Sequence, residues 1–264
     1  MSVPPEYGLA FDRVSFGYDP MAAAVLSGFS AAAAPGSVTA ILGANGAGKT
    51  TLLLLALGWL EPRCGRILLG GRPLAEYGRR ELGRTLALVP QAERMSFDYS
   101  VLDYALMGRA PHLAPLAMPG GGDRGIARRA VERAGLSSLA ARSVTALSGG
   151  ELQLALVARA LAQEPRILLM DEPTSHLDLA NKVRVLDLIR GLAADGVTVL
   201  FTTHEPEAAA AATNIVLMKD GRALRAGPLE EVFTTEDLSA TYGIPVNVSL
   251  VGGRRVASWN PGRT

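Results

Sequence analysis

Three short runs of mainly Val, Ile and Leu, at 37–42, 166–170 and 197–202, lack the in–out alternation of a half-exposed strand. Apolar on both faces, they predict strands buried in a parallel sheet. A further strand is predicted at 86–89. Helical stretches are predicted at 49–57, 125–134, 151–162, 179–192 and 207–212. Strands alternating with helices predict an α/β fold around a parallel sheet. Two regions depart from that plan. Residues 3–34 carry the alternation Leu9, Phe11, Val14, Phe16, which predicts short antiparallel strands. Residues 92–162 read as mostly helical, broken by a loop at 119–123, and predict a helical subdomain inserted into the sheet domain. After Gly227 a short helix and two strands, 246–251 and 254–258, are expected.

Residues 43–50 read Gly-Ala-Asn-Gly-Ala-Gly-Lys-Thr. The spacing G-x-x-x-x-G-K-[ST] is that of a phosphate loop. Its glycines, with Asn45 and Ala47 between them, let backbone N–H groups converge on one point, and the following helix adds its positive end. Lys49 is expected to reach the β- and γ-phosphates of ATP, and the Thr50 hydroxyl to ligate Mg2+. Thr51 closes the loop. The predicted strand before it and helix after it are the context the motif requires. A glycine-rich turn without a ligand is the bland alternative.

Residues 167–173 read Ile-Leu-Leu-Met-Asp-Glu-Pro. An apolar strand ending in two carboxylates buries charge unless a polar ligand waits there. Asp171 is expected to hold magnesium, directly or through water, and Glu172 to polarise the attacking water. The strand at 197–202 leads to Thr-Thr-His-Glu, which places His204 at a strand end. Ligands of parallel sheets sit beyond the carboxyl ends of the strands. Lys49, Glu172 and His204 are therefore expected to converge, with His204 bonding the γ-phosphate or orienting the water. His112 and His176 fall at no strand end and receive no role.

Composition narrows the setting. Hydrophobic residues make up 48% and charged residues 19% of 264, so the chain folds around a core. The net charge of +1 offers no broad basic field for nucleic acid. Cys64, the single cysteine, permits no internal disulfide and suits a reducing compartment. The first nine residues lack the features of a signal peptide, and the longest apolar run, 52–60, is far too short to span a bilayer. Work at a membrane would need another chain to hold this one there.

Residues 147–151 read Leu-Ser-Gly-Gly-Glu, and a helix follows. Locally this is a capping box, with Ser148 as N-cap and Glu151 three residues on. The box does not explain Gly149 and Gly150, which weaken a first helical turn. They make sense if an anion approaches the backbone.

Here the sequence resembles the ATP-binding cassette (ABC) family, whose signature is L-S-G-G-Q/E. Gln91 fits the family's Q-loop, with a metal-ligating role. Ser175-His-Leu-Asp178 fits its D-loop, with His176 where alanine or glycine is usual. His204 fits its switch histidine, and Tyr18 fits the aromatic that stacks on adenine. Leu152, Gln153 and Leu154 depart from the arginines often found after the signature. No catalytic residue is replaced.

The resemblance implies a single cassette over 1–264. Its P-loop NTPase (RecA-like) core covers about 1–91 and 163–245, with an N-terminal antiparallel β subdomain, a helical subdomain at about 92–162 and an extension at 246–264. It implies ATP hydrolysis in a head-to-tail homodimer. Each ATP lies on one phosphate loop and meets Ser148, Gly149, Gly150 and Asp178 of the other subunit. It also implies peripheral attachment at the cytoplasmic face of the inner membrane. The partners implied are integral-membrane permease subunits, which dock near 91–98, and, indirectly, a periplasmic or surface substrate-binding protein.

Residues 101–109, 227–232 and Tyr242-Gly243 resemble the ATPases of iron–siderophore, haem and cobalamin importers, with molybdate and tungstate importers close by. The expected function is ATP-driven import. A soluble cassette acting on nucleic acid or ribosomes, and a separate exporter subunit, are the alternatives. Neither tandem cassettes nor coiled-coil arms are visible to support the first.

Overall fold

The computed structural model describes residues 8–19, 21–93, 95 and 97–259. The chain forms two compact units, one made of residues 1–76 and 190–264, the other of residues 77–189. In the first unit lie β1 (Leu9–Phe16), β2 (Leu26–Ala33), β3 (Val38–Leu42), α1 (Lys49–Ala56), β4 (Cys64–Leu69) and β5 (Arg72–Pro73). The second holds α2 (Arg79–Thr85), β6 (Leu86–Val89), α3 (Val101–Leu106), α4 (Gly121–Arg133), α5 (Gly149–Ala162) and β7 (Ile167–Met170). Helix α6 (Leu179–Ala194) begins there and ends in the first unit, which resumes with β8 (Thr198–Thr203), α7 (Pro206–Ala209), β9 (Asn214–Lys219) and β10 (Arg222–Pro228). The short α8 (Leu229–Val232) and α9 (Thr235–Tyr242) and the hairpin β11 (Asn247–Val251) and β12 (Arg254–Ser258) complete the described chain.

The uninterrupted apolar runs are buried as predicted. Every residue of β3, β7 and β8 is inside. In the first unit β3 pairs in parallel with β8 on one side and β9 on the other. In the second, β6 and β7 pair in parallel, Val89 opposite Met170. The N-terminal antiparallel sheet also forms, in the order β2-β1-β4-β5. The part of that prediction covering residues 3–7 lies outside the described residues. Burial of Phe11 and then Val14 breaks strict alternation by one residue. A bulge absorbs the extra residue. Arg13 has φ 50, the pairing slips between Phe11 and Val14, and Gly65 stands opposite because a Cβ there would lie 2.3 Å from the Arg13 carbonyl oxygen.

Several features differ from the sequence expectations: β4, β5 and α2 are not anticipated above, and the helix expected at 207–212 is the shorter α7. The loop expected at 119–123 is partly helix, since α4 starts at Gly121. Glycine weakens a helix, but here Asp123 compensates. It accepts from the Gly120 N–H at 3.0 Å and from Arg109 Nε at 3.0 Å. These bonds, the Gly120 N–H first, hold the Asp123 carboxyl below its usual range. The hairpin β9–β10 is not anticipated above, although its turn, Asp220-Gly221 with φ 49 and 72, is a strong hairpin signal.

Candidate nucleotide site

The first unit builds a phosphate loop from backbone constraints. Strand β3 delivers Gly43, whose N–H donates to the Thr203 carbonyl of neighbouring β8. Any Cβ at 43 would lie 2.3 Å from the Met218 carbonyl oxygen, so only glycine passes. Gly46 (φ 81) and Gly48 (φ 101) then turn the chain in the left-handed region. The curl directs buried Lys49 back over its own loop. Its Nζ donates to the carbonyls of Gly43 at 2.9 Å and Ala44 at 3.1 Å. Asn45 and Thr50 are exposed at the loop's rim, and Ala47 is buried.

Tyr18 stands beside this loop. Its hydroxyl shares a 3.1 Å bond with the Thr51 hydroxyl, and its ring meets Phe16 edge-on at 5.0 Å. The ring is nonetheless 62% exposed, an open aromatic face suited to a base. Arg63 supports the turn, Nη2 donating to the Gly17 carbonyl at 2.8 Å. His204 follows β8 directly. Leu42 pairs with Thr203, so His204 leaves the sheet at the level where the phosphate loop starts. The Tyr242 hydroxyl donates to the His204 carbonyl at 2.9 Å, and burial raises the Tyr242 phenol well above its usual range. Tyr242 drew notice in the sequence only as part of Tyr242-Gly243. Its role in holding the His204 turn could not be read there.

The second unit presents the acidic pair. The Asp171 N–H continues the ladder by donating to the Val89 carbonyl at 2.9 Å. Asp171 and Glu172 are both buried. Glu172 takes φ 45, and its Oε2 accepts from Ser175 Oγ at 2.8 Å and from Gln91 Nε2 at 3.4 Å. Gln91 and Glu172, 81 positions apart, therefore meet as side chains. Ser175 is a second positioning residue that the D-loop resemblance named without giving it this task. Ser175→Ala removes the donor that fixes the carboxylate, and ATP turnover should fall about three- to tenfold, the worth of one hydrogen bond. Steady-state kinetics that match the parent would remove Ser175 from this role.

The signature folds as its capping box predicts. The Ser148 N–H donates to Glu151 Oε2 at 2.7 Å, and the Glu151 N–H donates to Ser148 Oγ at 3.4 Å. The first of these lowers the Glu151 carboxyl below its usual range. The cap therefore contributes above the ordinary carboxylate pKa and is lost as pH falls through the lowered one. Gly149 is exposed, and the N-terminus of α5 offers free N–H groups to an anion. Asp178 precedes α6 and caps it, accepting from the Asn181 N–H at 2.8 Å. His112 and His176 stay without chemistry. His112 Nε2 lies 2.8 Å from the Gln163 carbonyl oxygen, and His176 sits at φ 62.

A phosphate loop between a buried parallel strand and a helix, with paired carboxylates ending a second parallel strand, defines a P-loop ATPase. The chain belongs to the ABC transporter family, whose profile matches residues 26–175. It is 41% identical over 212 residues to the molybdate import ATP-binding protein MolC of Haemophilus influenzae, covering 80% of this chain and 79% of that one. It is 40% identical over 248 residues to the hemin import ATP-binding protein HmuV of Burkholderia ambifaria, covering 86% and 91%. Among solved structures, a chain described as a metal-chelate type ABC transporter in an inward-facing conformation aligns with TM-score 0.83 and 35% identity over 96% of each chain. The chain is thus an ABC ATPase whose relatives include import proteins.

Proposed function

We propose that this chain is the ATP-hydrolysing subunit of an importer and works as a head-to-tail homodimer. The observation that carries the dimer is the start of α5. Gly149 and Gly150, after the Ser148 cap, offer helix N–H groups at an open glycine, an anion site, and the family resemblance assigns Ser148, Gly149 and Gly150 to the γ-phosphate held by a second copy. On each nucleotide, Tyr18 stacks on the base. The N–H groups of the loop, from Gly43 through Asn45, Gly46, Ala47 and Gly48, cradle the phosphates with Lys49, Thr50 and Thr51. Glu172 accepts the proton of the attacking water, held in place by Ser175 and Gln91, and His204 bonds the γ-phosphate. Asp178 faces the partner's nucleotide.

The residues that the sequence motifs and the family resemblance name for Mg2+ suit that ion by type: Thr50 carries a hydroxyl, Asp171 a carboxylate and Gln91 an amide oxygen, all hard oxygen ligands. Such a sparse set suits an ion that keeps waters and takes phosphate oxygens. Bound there, magnesium would neutralise phosphate charge during transfer.

Partners follow from surface and family. No helix among the described residues is long and apolar enough to cross a membrane. Phe97 and Tyr99, in mutual ring contact and exposed in the segment after Gln91, form an aromatic patch for permease subunits. Arg94 and Ser96 of that segment lie outside the described residues. A peripheral place at the cytoplasmic membrane face and a separate substrate-binding protein follow from the same reading. The names of the relatives favour a metal chelate such as haem, or molybdate, as cargo.

Dilution tests the dimer. Turnover per chain should fall as the purified protein is diluted through the concentration at which it dissociates, because each site needs a second signature. Turnover per chain that stays constant while light scattering reports a monomer would overturn the head-to-tail assignment.

A further inference from the structure

Gly149 and Gly150 read alike in the sequence, but their surroundings differ. A Cβ on Gly149 would meet nothing within 4 Å. One on Gly150 would lie 2.3 Å from Asn181 Nδ2 and 2.4 Å from its Cγ. The Asn181 carboxamide therefore lies directly against the Gly150 backbone. It is also anchored from the other side. Nδ2 donates to Asp178 Oδ2 at 3.0 Å, while the Asn181 N–H donates to Asp178 Oδ1 at 2.8 Å. One residue thus grips both oxygens of the Asp178 carboxylate and touches the signature glycine.

We propose that Asn181 is a positioning residue for ATP hydrolysis, tying Asp178 to Gly150 within one subunit. This rests on the reading above, in which both face the partner's nucleotide. Their spacing must then match one ligand, and the carboxamide acts as the spacer. The chemistry suits asparagine. It is flat enough to lie on a glycine, and it carries the N–H donor that a carboxylate needs. Leucine would lose the donor, and aspartate would set two carboxylates together. Gly150 is then required to leave room for Asn181.

A mutant cycle tests the tie in the purified full-length chain. Asn181→Ala should lower kcat about three- to tenfold with KM for ATP within about twofold, since the phosphate loop is untouched. The second readout is ATP-driven dimerisation, followed by size-exclusion chromatography in a Glu172→Gln background. There Gly150→Ala should weaken dimerisation about tenfold or more when Asn181 is present. In the Asn181→Ala background the same change should cost less than about a further twofold, because the obstructing carboxamide is gone. An equal cost in both backgrounds overturns the proposal, as does Asn181→Ala with parental kcat. Should Asn181→Ala not fold, Asn181→Ser takes its place in the cycle. A parent chain that does not hydrolyse ATP overturns the proposed function and this proposal together. An active parent with additive variants overturns the proposal alone.

Discussion

Replacing Glu172 with glutamine is expected to slow ATP turnover by about 10²- to 10⁴-fold and leave ATP affinity unchanged. Glu172 follows a strand buried at every residue, and its own side chain is 8% exposed. A carboxylate in such a place disfavours charge unless donors surround it, and Ser175 Oγ and Gln91 Nε2 supply two. Glutamine keeps the shape, and its carbonyl can still accept from Ser175. What it loses is the capacity to take up a proton. Chemistry is thus removed while the nucleotide's contacts with the phosphate loop survive. Single-turnover hydrolysis and calorimetric ATP binding, measured on the same preparation, separate the two. Parental turnover in Glu172→Gln would assign the base elsewhere.

Lys49→Ala should weaken ATP binding about 10- to 100-fold, matching the roughly 1.5–3 kcal/mol of a hydrogen bond to a charged group. Lys49 is buried, and its ammonium rests on the carbonyls of Gly43 and Ala44. These bonds hold the cation at the loop's centre before any phosphate arrives. Alanine leaves the backbone N–H groups in place but removes the one mobile charge. Affinity therefore falls, and turnover falls with it, in contrast to Glu172→Gln. Titration with a fluorescent ATP analogue measures the loss. Unaltered affinity would remove Lys49 from the phosphate site.

The residues proposed to carry chemistry stand in segments whose local structure was legible, because each obeys a local rule. The loop from Gly43, the capping box at Ser148 and the carboxylates after β7 are fixed by neighbours within a few positions. Buried strands were legible for the same reason, since continuous apolar runs leave no face for water. Contacts across long separations were not. Nothing near Asn181 in the sequence signals Gly150, 31 positions earlier, and nothing near His204 signals the Tyr242 hydroxyl. The helical start at Gly121 was hidden by its glycines, because the compensating Arg109 comes from another element. The hairpin at Asp220-Gly221 is a different case. Its turn signal is local and sufficient, and the alternation of β9 was masked by burial at Ile215, Val216, Leu217 and Met218 alike.

The left-handed backbone at Glu172 has an evolutionary consequence. A side chain held at φ 45 costs on the order of 1 kcal/mol relative to glycine or asparagine, which enter that region readily. Drift toward either would give a sturdier protein that still binds ATP and no longer turns it over. Selection for durability and selection for turnover therefore pull in opposite directions at this one position. A lineage that lost its need for hydrolysis would be expected to change here first.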